Sequence, residues 1–308
     1  MKNKVAILLW LYHTDMAQEF YDILYKFKDI SDIHLGLCIE NDNRQALEVF
    51  KDLPTSVLYH HNIGGDILPF LKQLQNIDNP IFVKLHSKKS GWGINDQGNW
   101  RLMLLDSLLD TPQELLKNIN RMQEKNIGYL GPASFMCYDF ELKNKDKIRE
   151  LEYKLNIPKV TKRVFCGGNM FIGQTLLYKN ILDHHYNTLY DLLSKETGKV
   201  SDLKSGTYCH AMERILGYIS NNKTYSSGRC FIDTIKIKIL SKNTDHKYLH
   251  FRTLPNNDIY CVEQPNIYGK IIEQNKDDFI VEWQHKLSEK QKYQKISKNT
   301  YINTKHIR

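Results

Sequence analysis

The sequence predicts an α/β domain followed by a smaller β-rich section. Three observations carry this reading. Short apolar runs alternate with amphipathic stretches through the first half. Three of those runs are almost wholly apolar, as strands are when helices cover both faces of a sheet. After Gly228 the pattern shifts to short runs rich in β-branched and aromatic residues. With 308 residues, 41% of them hydrophobic, the chain can fill one large core or two small ones. Only 8 prolines and the absence of any low-complexity block exclude disordered and collagen-like classes.

The elements follow in order. Val5 to Tyr12 is the longest apolar run, and its eight residues fall far short of the roughly 20 that span a bilayer. Lys2 and Lys4 before it give the look of a signal peptide. His13, Thr14, Asp15 and Gln18 stand where a small-residue cleavage site belongs, so the run reads as a buried first strand. Further strands are expected at Asp32 to Ile39, Ser56 to Tyr59, Ile81 to Leu85 and Ile127 to Leu130. The clearest helix start is Thr111-Pro112-Gln113-Glu114, with Thr111 as N-cap, Pro112 in the first helical position and Glu114 completing a capping box. From Gly167 a strand, Asn169 to Ile172, precedes two helices, about Thr175 to Ser194 and Gly206 to Ser220. The β-rich runs are Phe231 to Leu240, Tyr248 to Arg252, Ile259 to Val262, Ile267 to Ile272 and Phe279 to Trp283, with turns at Pro255-Asn256-Asn257 and Asn275 to Asp277. The expected organisation is therefore a domain at 1–228, a β-rich appendage at 229–285 and a basic tail at 286–308.

The net charge of +8 is concentrated at one end. Lys286, Lys290, Lys292, Lys295, Lys298, Lys305 and Arg308 oppose only Glu289, a net +6 that leaves +2 for the rest of the chain. A near-neutral body argues against nucleic acid as a partner, and a basic tail suits an anionic membrane surface as well as it suits a solvated end. The six cysteines, Cys38, Cys137, Cys166, Cys209, Cys230 and Cys261, have neither C-x-x-C nor zinc-like spacing. Free thiols in a reducing cytoplasm are expected.

Four segments carry candidate chemistry. The strand Ile81 to Leu85 runs out into His86, Ser87, Lys88 and Lys89, and ligands of open α/β sheets bind at the carboxyl ends of strands. Three potentially cationic groups there suit a diphosphate, or else form a solvated turn. His60-His61-Asn62-Ile63-Gly64-Gly65-Asp66 lets the backbone turn sharply. Asp66 is then either the N-cap of the next helix or a carboxylate that accepts from sugar hydroxyls. His210, Glu213 and Arg214 share one helix face, as a general base with its orienting neighbour or as a salt-bridge cluster. Cys166-Gly167-Gly168-Asn169 opens a strand with paired glycines, marking a bulge or a close approach of substrate to backbone.

Together these segments resemble the rhamnan synthesis protein F family. The resemblance runs through Asn62, Gly64, Gly65, Asp66 and Phe70, then Lys84 to Ser90, Trp100-Arg101 and Leu105 to Leu109. It continues through Gly128, Gly131 and Pro132, Gly168 to Phe171, and Gly206-Thr207 with His210, Glu213 and Arg214, over about residues 1 to 225. It implies a glycosyltransferase of bacterial surface polysaccharide such as O-antigen or capsule, with a Rossmann-like mixed sheet similar to the nucleotide-sugar transferases of type A. The implied partners are a nucleoside diphosphate sugar, of rhamnose or another hexose, and a glycan or lipid-linked glycan acceptor at the cytoplasmic face of the membrane. Many type A enzymes hold a divalent metal with Asp-x-Asp. This chain has no Asp-x-Asp, and the equivalent strand end is His86-Ser87-Lys88-Lys89. The expectation is metal-independent, inverting transfer, with no cofactor. His86, Ser87, Lys88 and Lys89 would bind the diphosphate, and Asn62, Gly64, Gly65, Asp66, Gly168 and Asn169 the donor. The catalytic base would be Glu213 or His210, with Asp66 third. The competing reading is a non-catalytic module that binds nucleotide sugar or glycan.

Overall fold

A computed structural model describes residues 4–89, 99–138, 143–157, 160, 163–196, 206–220, 226–230, 235–239, 248–253, 258–261, 268–274, 278–283, 293–297 and 301–302. The turns expected at 255–257 and 275–277, and most of the basic residues after Trp283, lie outside the described residues. Two compact units emerge, residues 1–89 with 107–230, and 90–106 with 231–308.

The first unit is a mixed α/β layer structure. Its strands are β1 (Val5–Leu11), β2 (Ser31–Cys38), β3 (Ser56–His60), β4 (Ile81–His86), β5 (Ile127–Pro132), β6 (Met136–Tyr138), β7 (Val164–Cys166), β8 (Phe171–Gln174) and β9 (Ser226–Cys230). Seven of them form one sheet in the order β3-β2-β1-β4-β8-β5-β9, while β6 and β7 pair apart. The first four are parallel, β8 runs antiparallel to both neighbours, and β9 lies parallel to β5. Helices α1 (Ala17–Leu24), α2 (Arg44–Phe50) and α3 (Ile67–Gln75) make the crossovers between the parallel strands. The chain steps outward from β1 to β3, then returns to lay β4 on the other side of β1. That reversal opens a crevice at the carboxyl ends of β1 and β4.

Burial follows the apolar patterning. Every residue of β1 and of β4 is buried, Lys84 and His86 included. Phe70 of α3, Phe82 of β4, Phe171 of β8 and Tyr129 of β5 form a continuous aromatic contact, with Tyr129 and Phe171 stacked at 4.6 Å. Such pairs add about 0.5–1.5 kcal/mol beyond the area they bury. Further along come α4 (Asn99–Leu108), most of which belongs to the second unit, and then α5 (Pro112–Glu124), α6 (Lys145–Lys154), α7 (Thr175–Leu182), α8 (Tyr186–Leu193) and α9 (Tyr208–Tyr218). Thr111 caps α5 as expected, its hydroxyl accepting from the Glu114 N–H at 3.2 Å. The single helix expected over 175–194 is instead α7 and α8 separated by a 3₁₀ turn at Asp183–His185. Cys38, Cys137, Cys166, Cys209 and Cys230 are free thiols. Among the described residues no helix is long and apolar enough to cross a membrane.

In the second unit, β10 (Ile235–Ile239), β11 (Tyr248–Thr253), β12 (Asp258–Cys261), β13 (Tyr268–Gln274), β14 (Asp278–Trp283), β15 (Tyr293–Ser297) and β16 (Tyr301–Ile302) form a second sheet. Its order is β15-β14-β13-β12-β11-β10-β16, antiparallel throughout except that β16 joins β10 in parallel. β9 completes the sheet of the first unit, which runs to Cys230, and one segment of the basic tail is strand: Lys295 sits in β15, opposite Ile280.

Candidate functional site

Two short left-handed stretches of backbone shape the site. Gly64 and Gly65 have φ of 66° and 58°, and Gly168 and Asn169 have φ of 99° and 53°. The first pair brings the chain off β3 and delivers Asp66 to the mouth of α3. The second reverses the chain between β7 and β8. A side chain at Gly168 would be strained at this φ, whereas Asn169 belongs to the small group of residues that tolerate it.

Asp66 stands immediately before α3 but caps nothing there. The N-cap role that the sequence allowed is not the one it plays. Its carboxylate turns inward, where Oδ2 accepts from the Lys84 ammonium and, at 2.7 Å, from the Asn169 side-chain amide. The Lys84 Nζ also donates to the Asn169 carbonyl at 2.9 Å and lies 5.4 Å from the centre of the Phe70 ring. His86 Nδ1 is 3.5 Å from the same carboxylate oxygen, buried and with no hydrogen-bond partner among the described residues. Desolvation is the largest single influence and works to raise Asp66, but the charges of Lys84 and its neighbours together with the Lys84 hydrogen bond outweigh it and hold the carboxyl well below its ordinary range. Burial pushes the His86 imidazole down to about 3, opposed by Asp66 and reinforced by Lys84 and Lys88, so at neutral pH it is uncharged.

Above this cluster is a cavity of about 150 Å³. Gly65, Asp66, His86 and Lys88 line it from the β3–α3 and β4 ends. Gly168, Asn169, Cys209, His210 and Glu213 line it from the opposite side. The α9 residues are fixed one by one. Thr207 caps α9 by accepting from the His210 N–H at 3.1 Å, and its hydroxyl also meets His210 Nδ1 at 2.6 Å. Gly206 before it has φ of 69°, and a Cβ there would come within 2.5 Å of the Lys143 carbonyl oxygen, so the cap requires glycine. Glu213 Oε1 accepts from the Gly168 N–H at 2.9 Å, tying α9 to the β7–β8 turn. Glu213 and His210 share the cavity without bonding each other. Arg214 turns away, donating to the His210 carbonyl at 2.7 Å with its guanidinium 4.8 Å from the Phe165 ring centre.

Not every expected residue reaches the cavity. Asn62 donates to the Tyr12 hydroxyl at 3.2 Å, while its backbone N–H meets Glu40 at 3.1 Å. Gly64 gives its N–H to the Glu196 carbonyl. Ser87 accepts from the His13 N–H at 2.8 Å, and Lys89 pairs with Asp15 at 2.7 Å. These four shape the surrounding loops and lie outside the cavity lining. Sequence reasoning missed three residues. Lys84 was visible as a lone charge in an apolar strand. Cys209 lines the cavity, and Glu196 caps the Tyr208 and Cys209 N–H groups at 2.5 and 2.8 Å. No local pattern announces either of the last two.

Oδ2 of Asp66 is already held by an ammonium and an amide, and the Lys88 ammonium lines the cavity beside His86. Among the described residues no group of three or more His, Cys, Asp or Glu could hold a metal ion.

Comparison with known proteins gives a family match and distant structural likenesses. A glucosyl-3-phosphoglycerate synthase from Mycobacterium tuberculosis, solved with Mn²⁺, UDP and glucosyl-3-phosphoglycerate, is 11% identical with a TM-score of 0.35 over 74% of this chain and 70% of that one. A structure described only as a mycobacterial protein is 10% identical with a TM-score of 0.37 over 68% and 74% of the two chains. At these scores neither bears on the residues of the site. No curated protein sequence matches. The family model of rhamnan synthesis protein F matches residues 1–225, most of the chain. The chain belongs to the rhamnan synthesis protein F family and is a glycosyltransferase.

Proposed function

We propose that this glycosyltransferase moves rhamnose or another hexose from a nucleoside diphosphate to a surface polysaccharide or lipid-linked glycan, without a metal and with inversion. One observation supports this above the others. Lys88 and His86 at the end of β4 face Glu213 and His210 of α9 across a single cavity, with Asp66 between them. In the transfer, the acceptor oxygen bonds to the anomeric carbon while the bond to the diphosphate breaks, and the departing electron pair leaves with the diphosphate. Negative charge therefore develops on the donor side, where the Lys88 ammonium stabilises it. The acceptor proton is lost on the opposite side. Glu213 is the better base of the two candidates on α9, because Oε1 is occupied by the Gly168 N–H while, among the described residues, Oε2 meets only Arg214 Nη1, at 4.0 Å. Asp66, held ionised by Lys84, is a poor proton acceptor and a good partner for a hydroxyl. The net +6 of residues 286–308 supports a further part of the proposal, contact with anionic lipid at the cytoplasmic face.

Thermal stability against UDP, dTDP and GDP and their hexose conjugates, in EDTA and in Mn²⁺, tests the reading. Binding to the native state raises the melting temperature by mass action. One nucleotide class should stabilise the protein equally in EDTA and in Mn²⁺, and less in Lys88→Ala. Stabilisation that appears only with Mn²⁺ would overturn metal independence. Binding without transfer to any glycan acceptor would favour the non-catalytic module.

A further inference from the structure

The Asp66 carboxylate is used asymmetrically. Oδ2 receives the Lys84 ammonium and the Asn169 amide and faces His86 Nδ1 at 3.5 Å. Oδ1 has no bond to any described residue, in a side chain that is 26% exposed and lines the cavity. Lys84 itself is 1% exposed and does not line the cavity, so it is out of a ligand's reach. Its two bonds nonetheless lock both walls. One fixes the carboxylate before α3, and the other fixes the carbonyl of Asn169, whose backbone is left-handed and whose amide returns to Asp66.

We propose that Lys84 is a positioning residue for sugar recognition: it pins one oxygen of Asp66 so that Oδ1 is the acceptor offered to a hydroxyl of the donor hexose. This rests on the donor reading above. The cation is placed below the carboxylate, where it neutralises the buried charge without competing for the ligand. A carboxylate with one free oxygen accepts directionally, so the cluster selects a hexose by where its hydroxyl points. A carboxylate repels the diphosphate and offers it no donor, so a hydroxyl of the sugar is the part of the donor that Oδ1 can receive. Asp66 and Lys84 should therefore matter to the sugar's share of donor affinity and leave the nucleotide's share intact.

The measurement is calorimetric titration of UDP, dTDP and GDP, each beside its conjugate UDP-glucose, dTDP-rhamnose or GDP-mannose. The readout is the affinity ratio of conjugate to bare nucleotide for whichever pair binds. Asp66→Asn should lower that ratio about 10-fold or more, the loss of one charge-assisted hydrogen bond, with bare-nucleotide affinity unchanged. Lys84→Met, kept at a temperature where it stays folded, should lower the ratio similarly. The double variant Asp66→Asn/Lys84→Met removes both buried charges and should regain most of the melting temperature lost in Lys84→Met, while the ratio stays low. That split separates positioning from simple support of the fold. A wild-type ratio in Asp66→Asn or in Lys84→Met overturns the assignment while the donor reading stands. Wild-type protein that binds none of the nucleotides overturns the donor reading and this assignment together.

Discussion

Two carboxylates stand beyond the carboxyl ends of neighbouring strands, and each gathers a histidine and amide groups around it. Glu40, after β2, accepts from the Cys38 thiol and His61 Nδ1, each at 2.8 Å, and from the Asn62 N–H. Asp66, after β3, accepts from Lys84 and Asn169 with His86 beside it. Both carboxyls are held low. Glu40 falls to about 2, chiefly through the Cys38 and His61 bonds, and Asp66 falls, against its own desolvation, through the Lys84 charge and hydrogen bond together with the other groups around it. The difference is the surroundings. The Glu40 side chain is 51% exposed, so water would solvate its partners almost as well in the unfolded chain. The Asp66 cluster forms the floor of a cavity, with Lys84 1% exposed beneath it, where losing one partner strands the others in a poor solvent. A depressed pKa alone does not tell a structural surface cluster from a site; burial beside a cavity does.

The comparison can be broken or sharpened by substitution. The largest effect belongs to the cavity. Glu213→Gln should cut turnover about 10²–10⁴-fold, the usual contribution of a general base, read as release of nucleoside diphosphate in the presence of acceptor. Near wild-type turnover would move the base to His210. Lys84→Met comes next: urea unfolding should show a loss of about 3–5 kcal/mol, the cost of leaving a buried carboxylate uncompensated. A third effect is pH-dependent. His86 titrates near 3 in the folded protein and near 6.5 unfolded, so the unfolded state binds the extra proton as pH falls. This contribution to stability is complete above about 6.5 and is lost on acidification towards 3, by at most about 1.4 kcal/mol per pH unit. Urea unfolding at pH 7, 6 and 5 should give a shallower slope for His86→Gln than for wild type. The smallest effect is on the exposed side. Glu40→Gln should leave the melting temperature at pH 7 within experimental scatter, and a loss rivalling that of Lys84→Met would erase the contrast between the two clusters.

Much of the first unit was legible because its signals are local. The apolar run of β1 and the Thr111 cap each contain their own explanation within a few residues, and both are found where expected. The strand end at His86 and the face of α9 were also visible, since strand polarity and helical spacing place side chains without any knowledge of partners. What failed to show was reciprocal. Nothing near Asp66 indicates that its partners are 18 and 103 residues away, and a capping role was the reasonable local reading. Glu196 is the same case, a carboxylate 12 residues before the helix end that it caps. Asn62, Ser87 and Lys89 show the reverse relation. Their chemistry suits a ligand, yet the nearest polar groups in the fold, Tyr12, the His13 N–H and Asp15, engage them first.

The second sheet carries a consequence of connectivity. β15 and β16 lie at opposite ends of its strand order, yet only three residues of chain separate Ser297 from Tyr301. Four Cα steps reach at most about 15 Å, whereas seven strands laid flat would hold their outer members about 29 Å apart. The sheet must therefore curl until its two rims nearly meet, a near-barrel with almost no free edge to template pairing with another chain. β15 and β16 act as a clasp, and a chain cut before Tyr293 would bare the β14 and β10 edges that they pair with, two unpaired edges on a small sheet that would then invite self-association.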